Sequence, residues 1–161
     1  MKKMSRSRPI AVCFASILLA LSVTPAFAAE RGTEAKYIGG TMGAVPEKTE
    51  GRLDTSNEAY VKFSWKKGEV SIAYDKIDSL EYGQKAGRRV GQAVLISPVM
   101  LFSKKRKHYL TIGFADEKGK QQGAVLELPK DTVRGVLSVF KARSGKEIEY
   151  QSAEAKEHLG N

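Results

Sequence analysis

The residues best suited to chemistry are gathered in one window. Between Glu81 and Asp116 there is no acidic residue, and the stretch carries Lys85, Arg88, Arg89, Lys104, Lys105, Arg106 and Lys107, with His108 closing the last run. Clustered ammonium and guanidinium groups attract phosphate and carboxylate oxygens. Arg88, Arg89, Lys104, Lys105, Arg106, Lys107 and His108 are therefore the candidate anion contacts. Beside them, Val90 to Phe102 is an uncharged run of 13 residues, and Pro98 forbids one unbroken regular element through it. Cations next to aliphatic side chains suit an anionic lipid surface. Each Lys or Arg near such a leaflet contributes about 1 kcal/mol, and the acyl boundary accepts groups such as Leu101 and Phe102. An acidic protein partner would be met by the same cations. The plainer alternative makes the apolar run a buried element and the bases a solvated turn that keeps a hairpin edge from aggregating.

Catalysis finds little to work with. His108 and His158 are the only histidines. No spacing of His, Asp, Glu or Cys matches a zinc or calcium loop, and no GxSxG, HExxH or phosphate-loop pattern occurs. Asp75 and Asp78 lie three apart, but aspartates so placed usually make turns. Neither a metal nor another cofactor is expected, and the protein reads as a non-enzymatic one. Nucleic acid is a poor partner, because no aromatics are interleaved with the bases apart from Tyr109 at their edge.

The elements that must position these groups are mostly strands. Val61, Phe63 and Trp65 alternate with polar neighbours, the period of a half-buried strand, with Trp65 as a core anchor. After Lys66-Lys67-Gly68, a turn, the alternation resumes at Val70 and Ile72. Strands are also expected at 34–41, 51–55 and 75–82, then across 108–115 and 121–128, joined by the turn Asp116-Glu117-Lys118-Gly119. Gly83, Gly87 and Gly91 suggest a glycine loop. Val133, Val136, Leu137 and Phe140 fall at i, i+3, i+4 and i+7, the stripe of an amphipathic helix. Asp131 is the expected N-cap and Gly145 the expected terminator. A last short strand is expected at 146–150, and 151–161 reads as a loose polar tail.

Residues 1–28 have the order of a cleavable export signal. Lys2, Lys3, Arg6 and Arg8 precede an uncharged run from Ile10 to Val23, and Ala26-Phe27-Ala28 fits the small-x-small cleavage rule. Cys13, the only cysteine, leaves with that segment, and no later segment is long enough to span a bilayer as a helix. Without the four leader bases, 23 bases face 18 acids, and outside the acid-free window 16 face 18. The positive charge is thus local. The expectation is an exported protein of the periplasm, or of the medium where the host has no outer membrane.

Six or seven antiparallel strands followed by one helix define an α+β plan: a bent sheet or partial β-barrel with one C-terminal amphipathic helix across it. Over residues 34–150 this element order and helix placement resemble the pleckstrin-homology and GRAM-like superfold, and the chain is similar in style to small exported bacterial proteins. The resemblance implies one domain over 29–150, with 83–108 as an insert. It also implies a module that binds lipid headgroups, peptides or protein partners, the peptide case using an exposed strand edge.

Overall fold

The computed structural model describes residues 32–84, 89–90, 94–95 and 107–160. The order is β1 (Thr33–Gly40), β2 (Thr49–Asp54), β3 (Tyr60–Trp65), β4 (Gly68–Ala73), β5 (Ile77–Gly83), β6 (Arg89–Val90), β7 (Val94–Leu95), β8 (His108–Ala115), β9 (Gln121–Leu128), α1 (Lys130–Ser144), β10 (Ile148–Tyr150) and α2 (Ala153–Gly160). A 3-10 turn, Tyr74–Lys76, joins β4 to β5. Eight strands form one curled sheet, a half-barrel, in the order β10-β5-β8-β9-β1-β2-β3-β4. β6 and β7 pair separately as a two-residue antiparallel ribbon.

The expected alternation is what builds the core. Val61, Phe63, Ile72, Leu80, Leu110, Ile112 and Leu126 point into one apolar cluster, joined by Tyr37, Tyr74 and Tyr82. The stripe Val133, Val136, Leu137 and Phe140 brings α1 into the same cluster. Trp65 is only partly buried, and its ring stacks on Phe63 with centroids 6.0 Å apart. Ile38, Tyr109, Thr111 and Val125 are also buried but lie outside this cluster. Tyr109 and Thr111 alternate with Leu110 and Ile112, so the second face of β8 is shielded from water as well. The backbone of β6 runs beside β8 and β9.

Three features differ from the sequence expectation. The sheet is mixed, because β10 pairs with β5 in parallel, Leu80 opposite Ile148 and Tyr82 opposite Tyr150. β9 already runs in the direction of β5, so α1 returns the chain to the starting end before β10, as a parallel connection requires. The N-cap of α1 is Pro129, not Asp131. The carbonyl of Pro129 accepts the N–H groups of Thr132 and Val133 at 3.2 and 3.0 Å. Proline's fixed φ suits this entry, and Asp131 sits in the first turn, where a carboxylate complements the helix dipole. Residues 153–160 form α2 instead of a loose tail. Ser152 Oγ accepts the Ala155 N–H at 3.1 Å, and Ala155 is 1% exposed. The apolar run Val90–Phe102 falls outside the described residues except at β6 and β7.

Two glycines answer backbone demands. Gly145 ends α1 in the left-handed region at φ 68°, its N–H donating to the Lys141 carbonyl. Gly40 ends β1 at φ 144°, and a Cβ there would lie 2.1 Å from the Gly123 carbonyl oxygen. The same approach lets Thr41 exchange hydrogen bonds with Gly123 across the ends of β1 and β9: its N–H reaches the Gly123 carbonyl at 2.8 Å, and its Oγ1 accepts the Gly123 N–H at 2.8 Å.

Candidate functional site

Of the seven candidate anion contacts, two have described side chains, and both are engaged within the protein. Lys107 Nζ donates to the Glu127 carboxylate at 2.8 and 2.9 Å, so its charge already has an acidic partner. His108 starts β8 on the inward side, is buried, and shares a 2.6 Å hydrogen bond between its Nδ1 and the Tyr82 hydroxyl. Its ring stacks near-parallel to that of Tyr82, with centroids 6.1 Å apart. Period-two burial puts His108, expected as an anion contact, on the same inward face as Leu110 and Ile112. Arg89 lies on β6. Arg88, Lys104, Lys105 and Arg106, with Leu101 and Phe102, lie outside the described residues.

The Tyr82–His108 pair is a core lock. Tyr82 is fully buried, with Tyr150 of β10 edge-on to it at 6.1 Å, and burial raises its hydroxyl pKa. Tyr82→Phe removes the partner of His108 Nδ1 at constant shape. Urea unfolding should show a loss of about 1 kcal/mol, the net worth of one buried hydrogen bond. An unchanged midpoint would show that the pair is not structural.

Lys107 and Glu127 also border an open groove of about 680 Å³ with Glu34, Lys36, Glu50 and Arg52. The register sets Glu34 against Arg52 and Lys36 between Glu50 and Glu127. Lys36 Nζ reaches Glu50 at 3.1 Å. Signs alternate across this surface, so it offers no net charge to an ion. Elsewhere Arg143 fastens the end of α1. Its guanidinium donates to the carbonyls of Thr55 and Asn57 and lies over the Tyr74 ring, 5.5 Å from the centroid.

A different feature lies at the margin of the sheet. Among the described residues β4 ends the sheet and pairs with β3 alone, whereas the opposite end, β10, has three residues and α2 packed on it. The Tyr74 N–H donates to the Ala59 carbonyl at 2.9 Å. Bonded and non-bonded pairs alternate along an antiparallel ladder. In the β3–β4 register the non-bonded pairs are therefore Tyr60–Ala73, Lys62–Ser71 and Ser64–Glu69. The N–H and C=O groups of Glu69, Ser71 and Ala73 consequently point away from β3. Glu69 and Ser71 are exposed. Beside this edge lies a cleft of about 570 Å³ lined by Met42, Tyr60, Val70, Ile72 and Phe114, together with the charged Lys76, Asp116 and Glu117. Asp116 is held rigidly: its carboxylate accepts the backbone N–H of Lys120 and the Gln122 amide, which hold its pKa below the usual carboxylate value.

Sequence reading found β4 as a strand but not as the sheet's terminus, since strand order is not a local property. Among the described residues no three His, Cys, Asp or Glu side chains are grouped to hold a metal ion, and no helix is long and apolar enough to cross a membrane. The class defined here is a mixed, curled eight-stranded half-barrel with two short helices and one open edge beside an apolar cleft. No family model and no curated protein matches the chain.

Proposed function

We propose that this protein is an exported, non-enzymatic binding module that accepts an extended segment of a protein partner along β4. One observation carries the reading: the outward backbone groups of Glu69, Ser71 and Ala73 flank a cleft with Val70, Ile72 and Phe114 in its wall. Strand addition takes affinity from main-chain hydrogen bonds and specificity from pockets for alternate side chains, and both parts are present here. Kinship with the pleckstrin-homology and GRAM-like superfold is part of the proposal, supported by the meander β1–β4, the paired β8–β9 and the single long helix that follows. Export rests on the leader-like order of residues 1–28 and places the module in the periplasm or outside the cell. The edge is preferred to an anionic lipid surface because Lys107 is neutralised by Glu127 and His108 is buried.

Ser71→Pro tests it. The Ser71 N–H faces the open side, so proline removes an edge donor without removing a β3–β4 hydrogen bond. Linear peptides selected from a random library against the wild-type protein should bind the variant about tenfold more weakly, the worth of one main-chain hydrogen bond. Selected peptides that bind both proteins equally would put the binding surface elsewhere. Sedimentation with anionic vesicles, abolished in a Lys104/Lys105/Arg106/Lys107→Ala variant while peptides fail to bind, would favour lipid instead.

A further inference from the structure

We propose that the outer face of β1, β9 and β8 is the seat of this chain's own apolar run, Val90–Phe102, which packs there as a further layer instead of entering a lipid surface. Successive residues of a strand point to opposite faces of a sheet. β8 is nevertheless buried at seven consecutive residues, His108 to Phe114, and β9 at four, Gly123 to Leu126. Both strands are therefore covered on two sides. One cover is the core with α1. The other lies over Tyr109, Thr111 and Val125, with Ile38 beside them at the bulge where β1 meets Val125.

Val125 shows that this second cover is a packed layer. It is 0% exposed, yet its neighbours on this face are small or polar: Gly123 and Glu127 along β9, Thr111 across on β8 and Gly39 across on β1. Such neighbours cannot keep water from a valine unless something is stacked upon them. The burial belongs to a single chain, so neither a lipid, a second copy nor a partner supplies it. The position of the run selects it as the layer. β6 is not hydrogen-bonded into the eight-stranded sheet, yet its backbone runs beside β8 and β9, and it pairs with β7 through Val90 opposite Val94. The run thus begins here. The chain also returns here, because Lys107 is tied to Glu127, which lies opposite Tyr109 on this face. From Val90 to Phe102 it is uncharged and mostly aliphatic. Thr111 Oγ1, finally, is buried without a hydrogen bond among the described residues, as fits a cover that is apolar and dry.

Cysteine reactivity provides the test, because the chain from Ala29 onward has no cysteine of its own. In that chain Val125→Cys should react with a maleimide at least about tenfold more slowly than Lys118→Cys on the exposed β8–β9 turn. Replacing residues 91–103 by a short Gly-Ser linker should bring Val125→Cys close to the Lys118→Cys rate and let the protein bind a hydrophobic dye. In the intact chain at least one of Leu101→Cys and Phe102→Cys should be as protected as Val125→Cys, with or without anionic vesicles. Thr111→Val should raise the urea midpoint, since a methyl group replaces an unbonded hydroxyl under an apolar cover, and a lowered midpoint counts against that cover. Val125→Cys still protected after the replacement overturns the proposal. Val125→Cys reacting freely in the chain from Ala29 overturns it too, and protection restored in the full-length chain would assign the cover to residues 1–28. If the linker variant does not fold, the intact chain decides: Leu101→Cys and Phe102→Cys both reacting freely overturn the seat, and a slowing seen only with anionic vesicles would assign the run to lipid.

Discussion

Phe140→Ala is expected to lower the free energy of unfolding by about 3–5 kcal/mol, the range for deleting a fully buried aromatic ring. Phe140 is 0% exposed and meets Tyr74 edge-on, with centroids 5.6 Å apart. An isolated helix of this length is marginal in water, so α1 depends on its buried stripe, and Phe140 is the largest member of it. The loss is a large fraction of the ~5–15 kcal/mol that holds a domain of this size together. Urea titration followed by far-ultraviolet circular dichroism measures it, with Phe140→Leu expected to cost less. A change below about 1 kcal/mol would show that α1 is not part of the cooperative unit. A fall in the m-value would mean that α1 detaches before the sheet unfolds.

Stability should also collapse at alkaline pH. Burial pushes the Tyr37 hydroxyl up to about 12, with Glu47 adding to the rise and a Met42 backbone hydrogen bond opposing it. Folding therefore favours the protonated phenol. That stabilisation is complete below the unfolded value near 10 and is lost as pH climbs through the folded value. Two units correspond to roughly 3 kcal/mol from this one group. Tyr74, Tyr82 and Tyr109 are raised in the same sense, each chiefly by burial, so their losses fall on the same side. Unfolding free energies measured at pH steps from 9 upward should decline steeply, alongside tyrosinate absorbance. Tyr37→Phe should flatten the decline. An equally steep decline in that variant would assign the effect to other groups.

Much of this architecture could be read one residue type at a time. The alternations Val61-Phe63 and Leu110-Ile112-Phe114, the stripe ending at Phe140 and the terminator Gly145 all report local geometry, and local geometry is what a sequence encodes most directly. The burial of His108 was legible too, since the expected strand 108–115 begins with it and counting back by two from Leu110 reaches it, but the four bases before it drew it into the cationic patch. Other features depend on distant partners. β10 falls within the short strand expected at 146–150, but its parallel pairing with β5 depends on where α1 returns the chain. α2 buries a single alanine among its described side chains, too little for a hydrophobic stripe. The neutralisation of Lys107 required the β8–β9 register, and the open side of β4 required the order of the whole sheet.

The parallel seating of β10 on β5 has a consequence for proteolysis. Gln151 and Tyr150 close over Tyr82. A chain clipped between α1 and β10 would bare the flank of β5 from Leu80 to Tyr82, a stretch of adhesive backbone. Cleavage at that junction therefore exchanges a covered margin for a sticky one.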